Sequence, residues 1–395
     1  MQKRLGVALD IGTTTIQGKL IDLKEKDELS YFSSLNEQLP HGHDVISRIK
    51  FSLERPSGLE RLHKNAISSI NFVIENLVSF AKEDKNDIFL IGTVGNAALY
   101  HFTLFLSPEK LAKPPYDPLH KAFAIKKAKT LGIEANEDCE FDFLPNVGGF
   151  VGSDAIAVIL AADIDKSKHP ILAVDLGTNG EIILGSKEKI WVASTAAGPA
   201  FEGWHVTCGM RAVKGAIESV EDKDGRLELK VIGGGEPEGI SGSGLIDIIA
   251  ILLKRAYIKK SGKIKQDFVL CEDHKKIFIS QNDVRQVQLA KAAFLAGMYF
   301  LRRLTNKEIS RLVITGNFGR RLNKDNAKTA GIVPEDIEPD KIEFLENGAL
   351  KGAETFIRNR KSIMSRIEGI LKKTEHVPLG QNKGFQREFI EAMRF

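Results

Sequence analysis

The amino-acid sequence predicts an α/β protein of two lobes, each a mixed sheet with helices, set about a central cleft. Three observations carry this expectation. The run Ile171-Leu172-Ala173-Val174 is apolar and partly β-branched, so it reads as a buried strand. Asp175 closes it, Gly177 and Gly180 bracket a tight turn, and Ile182-Ile183-Leu184 reads as the returning strand. The same device stands near the N-terminus as Val7-Ala8-Leu9-Asp10-Ile11-Gly12-Thr13-Thr14-Thr15, where the order apolar–Asp–apolar–Gly–Thr recurs. One copy says little, because Asp-x-Gly-Thr also occurs in ordinary hairpins. Two copies a domain's length apart predict related lobes whose turns face each other. The third observation is size: 395 residues suffice for two or three domains with full cores. The expected division is a first lobe over 1–168 and a second over 169–395.

A turn of this kind aims several backbone N–H groups at one point. Phosphate oxygens fit there, and glycine keeps a β-carbon out of the way. Asp10 and Asp175 would then stand beside the phosphates, where a carboxylate holds Mg²⁺ directly or through water. Two such carboxylates and two amide-lined turns would clamp one polyphosphate.

Bulk properties narrow the class. Hydrophobic residues make up 43% and charged residues 27%, the balance of a globular protein in water. No apolar run approaches the ~18–20 residues that span a bilayer. Met1-Gln2-Lys3-Arg4 leads directly into a strand, so a secretory leader is not expected and the cytoplasm is. The net charge of +4 is mild, and no Lys/Arg run interleaves with aromatics, so neither nucleic acid nor membrane is the expected partner. Cys139, Cys208 and Cys271 are scattered and form no C-x-x-C pair. An iron–sulfur cluster takes four thiolates, so none is expected within this chain; a homodimer is compatible with the reading.

Along the chain, residues 5–23 read as two strands about the first turn. His41 and His43 could be metal ligands, but a polar loop capping a helix that starts near Asp44 is the plainer reading. Apolar positions at Leu62, Ala66, Ile70, Val73 and Leu77 predict an amphipathic helix over 61–81. Ile88-Phe89-Leu90-Ile91 is a buried strand, and Gly92–Asn96 after it reads as a phosphate-binding or lobe-packing turn. Lys113-Pro114-Pro115-Tyr116-Asp117-Pro118 is a rigid surface segment. A Gly-rich loop over 143–154 leads to a helix over 155–162, with Asp154 as its cap or as a cleft group.

In the second lobe, Gly198 and Pro199 fix a turn from which Glu202 points. There it could hold a metal-bound water or the ribose hydroxyls, and Arg211 downstream is a candidate for anion contact. Gly239-Ile240-Ser241-Gly242-Ser243-Gly244 feeds small residues into an apolar helix over 245–253, a natural phosphate or ribose site. No Walker-type G-x-x-x-x-G-K-[ST] occurs. Residues 283–304 form a long helix capped by Asp283, with Val287, Ala290, Phe294, Gly297 and Leu301 as its buried stripe. Arg311–Thr315 is a strand opening into Gly316-Asn317-Phe318-Gly319, where backbone can lie against an adenine and Asn317 or Phe318 can contact the nucleoside. An amphipathic helix over 385–392 is expected to fold back onto the first lobe.

With these motifs the chain resembles the actin / sugar kinase / heat-shock-70 superfamily of two-lobed, ribonuclease H-like ATPases. Asp10–Thr15 matches the first phosphate motif, Asp175–Glu181 the second, and 312–319 the adenosine motif. Longer phrases narrow the branch. Asn36-Glu37-Gln38 followed by Asp44-Val45-Ile46-Ser47-Arg48-Ile49, then Gly95-Asn96-Ala97-Ala98, then Ala196-Ala197-Gly198-Pro199-Ala200-Phe201-Glu202-Gly203, and finally Gly239–Asp247, resemble the reductive activators of corrinoid proteins over residues 5–393.

The resemblance implies ATP-driven one-electron reduction of Co(II) corrinoid to Co(I) on a partner methyl-transfer protein. It implies ATP and Mg²⁺ as ligands, with Asp10, Asp175 and Glu202 as catalytic groups and the two aspartates organising the metal. Nucleotide contacts are implied for Gly12, Thr13, Thr14, Thr15, Gly177, Thr178, Asn179, Gly180, Glu181, Gly198, Gly242, Ser243, Gly244, Gly316, Asn317 and Phe318. Members commonly carry an iron–sulfur module, which this sequence lacks. A separate iron–sulfur protein is therefore the expected electron donor, unless the chain is a module of a longer protein or its role has changed. Two other functions use the same lobes: a sugar or carboxylate kinase, with Asp154 or Glu202 as base, and a nucleotide-timed partner-binding switch without redox chemistry.

Overall fold

The computed structural model describes residues 4–272, 274–316 and 322–395. They form two compact units. The first comprises Met1–Lys166, Glu188–Val192 and Gly348–His376; the second comprises Ser167–Lys187, Ala193–Asn347 and Val377–Phe395.

In the first unit, β1 (Leu5–Ile11), β2 (Thr15–Asp22) and β3 (Glu28–Leu35) form an antiparallel meander. Every residue of β1 is buried except Asp10, so the strand is core along its length and its carboxylate marks the one opening. The helix α1 (Val45–Glu54) is capped by Asp44, whose carboxylate accepts from the Ser47 amide at 2.8 Å. Helix α2 (Gly58–Ala81) buries the expected stripe of Leu62, Ala66, Ile70, Val73 and Leu77. Strand β4 (Ile88–Gly95) runs parallel to β1, and α3 (Ala97–Thr103) follows, capped by Asn96. The strand continues through Gly92–Gly95, which the sequence had suggested as a turn. Gly92 is there for packing: a β-carbon on it would sit 2.8 Å from the Phe356 ring. Strands β5 (Ala124–Lys127) and β6 (Glu140–Phe143) complete a sheet of order β3-β2-β1-β4-β6-β5, and α4 (Ser153–Ala161) comes next.

The second unit opens with the hairpin β7 (Ile171–Asp175) and β8 (Asn179–Gly185); β9 (Ile190–Ala196) starts in the first unit and ends in the second. A small sheet follows from β10 (Ala216–Lys223), β11 (Arg226–Val231) and β12 (Gly239–Ile240), then α5 (Gly242–Lys254). The pair β13 (Phe268–Cys271) and β14 (Ile277–Ile279) precedes α6 (Gln281–Arg302). The cap of α6 is Ser280; Asp283, expected as the cap, sits three residues on and completes a capping box with it. Strand β15 (Arg311–Thr315) lies parallel to β7, which places Thr315 opposite Asp175. After α7 (Lys324–Thr329), β16 (Ile342–Phe344) extends the sheet to the order β16-β15-β7-β8-β9.

The chain then returns to the first unit. Helix α8 (Gly348–Arg358) packs on α4 and β1 so closely that a β-carbon at Gly352 would lie 2.2 Å from the Ala157 carbonyl oxygen. In α9 (Arg360–Lys373), Arg360 forks onto the buried Asp142 at 2.5 and 2.9 Å and also reaches Glu140. Arg366 does the same to Asp165 at 2.5 and 2.9 Å. Strand β17 (Thr374–His376) pairs with Ile190–Val192 of β9. The last helix, α10 (Lys383–Ala392), stays in the second unit and packs on α6, burying Phe385 and Ala392. The sequence had sent this helix to the first lobe and left 348–376 in the second. Ion pairing to Asp142 and Asp165 decides the second point, and the apolar face of α10 the first.

Candidate functional site

The first turn joins β1 to β2. Asp10 stands opposite Gln17, and the Gly12 amide donates to the Thr15 carbonyl at 2.9 Å. A β-carbon on Gly12 would lie 2.7 Å from that carbonyl oxygen, so the hairpin alone requires glycine. Thr13, Thr14 and Thr15 are almost entirely buried. Three successive carbonyls are held from behind: Gly12 by the Asn36 side chain at 2.9 Å, Thr13 by Arg48 at 2.6 Å and Thr14 by the Asn36 amide at 2.9 Å. The Asn96 side chain reaches the Thr13 hydroxyl at 3.3 Å. Among the described residues the amides of Thr13 and Thr14 have no acceptor. The turn therefore keeps its carbonyls occupied and its Thr13 and Thr14 amides available as donors, the backbone polarity of an anion site.

Asn36, Gln38, Arg48 and Asn96 entered the sequence reading only as parts of longer phrases, not as site residues. A signal existed. Arg48 shares the buried face of α1 with Val45 and Ile49, the i, i+3, i+4 spacing of a core stripe. An arginine on such a stripe needs a polar destination.

The second turn is built differently. Leu176 donates to the Thr315 carbonyl at 3.0 Å, fixing Asp175 beside the end of β15. Gly316 has φ +107, and a β-carbon on it would lie 2.8 Å from an Asp175 carboxylate oxygen. Glu202 turns inward: its Oε1 accepts from both the amide and the hydroxyl of Thr178, each at 2.7 Å. Gly198, at φ +78, donates its amide to the Thr178 carbonyl at 3.1 Å. The structure thus brings Asp175, Thr178, Gly198, Glu202 and Gly316 together, from three stretches distant in sequence. Asn179, Gly180 and Glu181 belong to β8 rather than to the turn. Gly180 is required by the core, since a β-carbon on it would lie 2.1 Å from the Phe294 ring. Glu181 is buried, with Ser194 at 3.4 Å.

At the start of α5, residues 242–244 are buried and occupied within the protein. The Ser243 hydroxyl donates to the Glu218 carbonyl at 2.7 Å. β-carbons on Gly242 and Gly244 would lie 2.0 and 2.3 Å from the carbonyl oxygens of Phe201 and Ile217. Their small size answers to backbone packed on the helix end. Asp154 sits in the first turn of α4, where Gly152 takes the cap position; its carboxylate accepts from the Ala155 amide, and burial pushes its pKa up to about 6. Asn317 and Phe318 lie outside the described residues. His41 stacks on Phe51 at 4.4 Å, and among the described residues no group of three or more His, Cys, Asp or Glu side chains could hold a metal. Oxygen ligands on one or two carboxylates, completed by phosphate and water, are the arrangement magnesium takes without a dedicated cage. Asp10 and Asp175 each stand partly open at the end of their own strand.

A family model described as the RACo middle region matches residues 5–167, and one described as the C-terminal domain of RACo, the ASKHA domain, matches 169–395. The chain belongs to the RACo family. The corrinoid activation enzyme RamQ of Eubacterium limosum is 34% identical over 99% of this chain and 70% of its own length. The [Co(II) methylated amine-specific corrinoid protein] reductase of Methanosarcina barkeri is 25% identical over 98% of this chain and 76% of its own length. A solved structure of a reductive activator for corrinoid, iron-sulfur protein superposes with a TM-score of 0.93 at 34% identity; this chain spans 66% of that one. RACo membership makes the mixed sheets and their helices an actin-like α/β fold. Among the described residues no helix is long and apolar enough to cross a membrane.

Proposed function

We propose that this chain binds MgATP and couples its hydrolysis to reductive reactivation of a Co(II) corrinoid held by a partner methyl-transfer protein, with electrons from a separate iron–sulfur module. The observation that carries the reading is the wiring of the first turn. Asn36, Arg48 and Asn96, from the phrases that resemble corrinoid activators, converge on Gly12–Thr14, with Gln38 behind Arg48, and leave two amides open for an anion. The names of the RACo relatives supply the substrate class.

In this proposal Thr13, Thr14, Gly177 and Thr178 hold phosphate oxygens. Asp10 and Asp175 would hold Mg²⁺, which neutralises phosphate charge when bound. Phosphoryl transfer asks little of a protein beyond such positioning and charge. Glu202, which accepts from Thr178, would receive a proton from the attacking water once phosphate takes over the Thr178 donors. Nucleotide binding can bias a corrinoid partner only by the difference in affinity between two protein states.

The test is MgATP hydrolysis by the purified chain, alone and with a Co(II) or methylated corrinoid protein. Stimulation by the Co(II) form only is expected. Hydrolysis indifferent to both forms would overturn the partner assignment, and phosphorylated product from an added sugar or carboxylate would replace it with a kinase.

A further inference from the structure

Arg48 is completely buried, and its three nitrogens all end on neutral acceptors. Nε donates to the Gly42 carbonyl at 2.9 Å, Nη1 to the Gln38 side chain at 3.1 Å and Nη2 to the Thr13 carbonyl at 2.6 Å. The nearby carboxylate, Asp44, is engaged in capping α1 through the Ser47 amide and hydroxyl at 2.8 and 2.7 Å. No ion pair of Arg48 occurs among the described residues. A buried cation whose hydrogen bonds all end on dipoles is expensive; the charge of Asp44 nearby offsets part of that cost, and a further anion close by would offset more. Burial already pushes the Arg48 pKa down to about 10.

The place for that anion follows from the covalent structure of the turn. A carbonyl and the N–H of the next residue belong to one peptide. Donation to the carbonyl polarises the unit and strengthens its N–H as a donor. The Thr13 carbonyl that takes Arg48 shares its peptide with the Thr14 amide. The Gly12 carbonyl that takes Asn36 shares its peptide with the Thr13 amide. These are the two amides that have no acceptor.

We propose that Arg48, assisted by Asn36, is a positioning residue whose buried charge, relayed through the Thr13–Thr14 peptide, makes the first turn a phosphate site. This rests on the nucleotide reading above and adds the group that sets its selectivity for phosphate. A guanidinium that merely braced the loop would contribute to folding and to every ligand alike. One that acts through the peptide discriminates by the charge of the ligand.

The experiment is calorimetric titration of wild type and the uncharged Arg48→Met with adenosine, a non-hydrolysable ATP analogue and inorganic pyrophosphate. Thermal unfolding of both proteins is recorded alongside. The expected result is loss of roughly tenfold or more for the analogue and pyrophosphate, the worth of a charged hydrogen bond. Adenosine affinity should stay within about twofold, the scale of an exposed or distant perturbation. Equal losses for all three ligands, or none, overturn the Arg48 role and leave nucleotide binding standing. Wild type that binds neither the analogue nor pyrophosphate overturns both. Should the methionine variant not fold, the amide protons of Thr13 and Thr14 in wild type decide the matter. Both are expected to move downfield with pyrophosphate, and unmoved resonances overturn the proposal.

Discussion

Two glycines of the second turn region are glycine for different reasons, and the difference is measurable. Gly180 faces the Phe294 ring, whereas a β-carbon at Gly177 would meet only the Asn179 carbonyl at 3.2 Å and Glu202 at 4.0 Å. Gly180→Ala should therefore cost about 1–3 kcal/mol in a denaturant titration, the usual penalty of overpacking. Gly177→Ala should leave stability nearly unchanged while weakening nucleotide binding, because its β-carbon enters the proposed phosphate position. The reverse pattern would remove Gly177 from the site. Asp10→Asn and Asp175→Asn should each lower ATP turnover by about a hundredfold or more, the scale of losing one preorganised electrostatic group, with unfolding temperatures little changed. Wild-type turnover in both would refute the metal assignment. Lys291 offers a pH test. It is buried, donates to the Arg394 carbonyl, lies 5.0 Å from the centre of the Phe395 ring and feels Glu335; burial pushes its pKa down to about 8. The unfolded chain then holds more protons than the folded one between about pH 8 and the ordinary lysine range, so stability should rise with pH across that window. The slope should be at most about 1.4 kcal/mol per pH unit and should vanish in Lys291→Met. A flat profile in wild type would show that the ammonium is better solvated than its surroundings indicate.

At the scale of elements, apolar periodicity made most strands and helices legible. β1, β7, β15, α2 and α6 appear in the sequence with their buried faces, because a core strand or amphipathic helix advertises itself locally. The two aspartate turns were legible for the same reason, each following an apolar strand. What was not legible depends on partners distant in sequence. Gly92 reads as a turn until Phe356 is seen against it, and nothing local reveals that the glycines of α5 pack against the carbonyls of Phe201 and Ile217. Glu202 reads as pointing from its turn until Thr178 is found to donate to it. Arg360 is the strongest such case, since nothing near it in sequence reveals that Asp142 is buried beneath it. Arg360→Ala should destabilise the protein by about 3–5 kcal/mol, because it strands a buried carboxylate without its cation. Arg360→Ala combined with Asp142→Leu should recover much of that loss. Failure of the double variant to recover would mean the pair is not the anchor of α9.

At the scale of the whole molecule, the chain passes between its two compact units five times. The first unit is not a contiguous stretch: β1 and β4 carry glycines at positions 6 and 92 that receive Ile357 and Phe356 from α8. A fragment ending at residue 167 would expose that surface and leave Asp142 and Asp165 without Arg360 and Arg366. Such a fragment should be poorly soluble, and linking 348–376 to it should restore a cooperative unfolding transition. A cooperative transition in the short fragment would show that α8 is dispensable.

That threading also bears on inheritance. A crossover between genes anywhere from codon 168 to codon 347 would join a first sheet from one parent to the helix that covers it from another. The glycine notches at 6, 92 and 352 leave room for only one fit. The middle region and the ASKHA region should therefore travel through evolution as a single cassette, and diversification should fall on what is attached outside it.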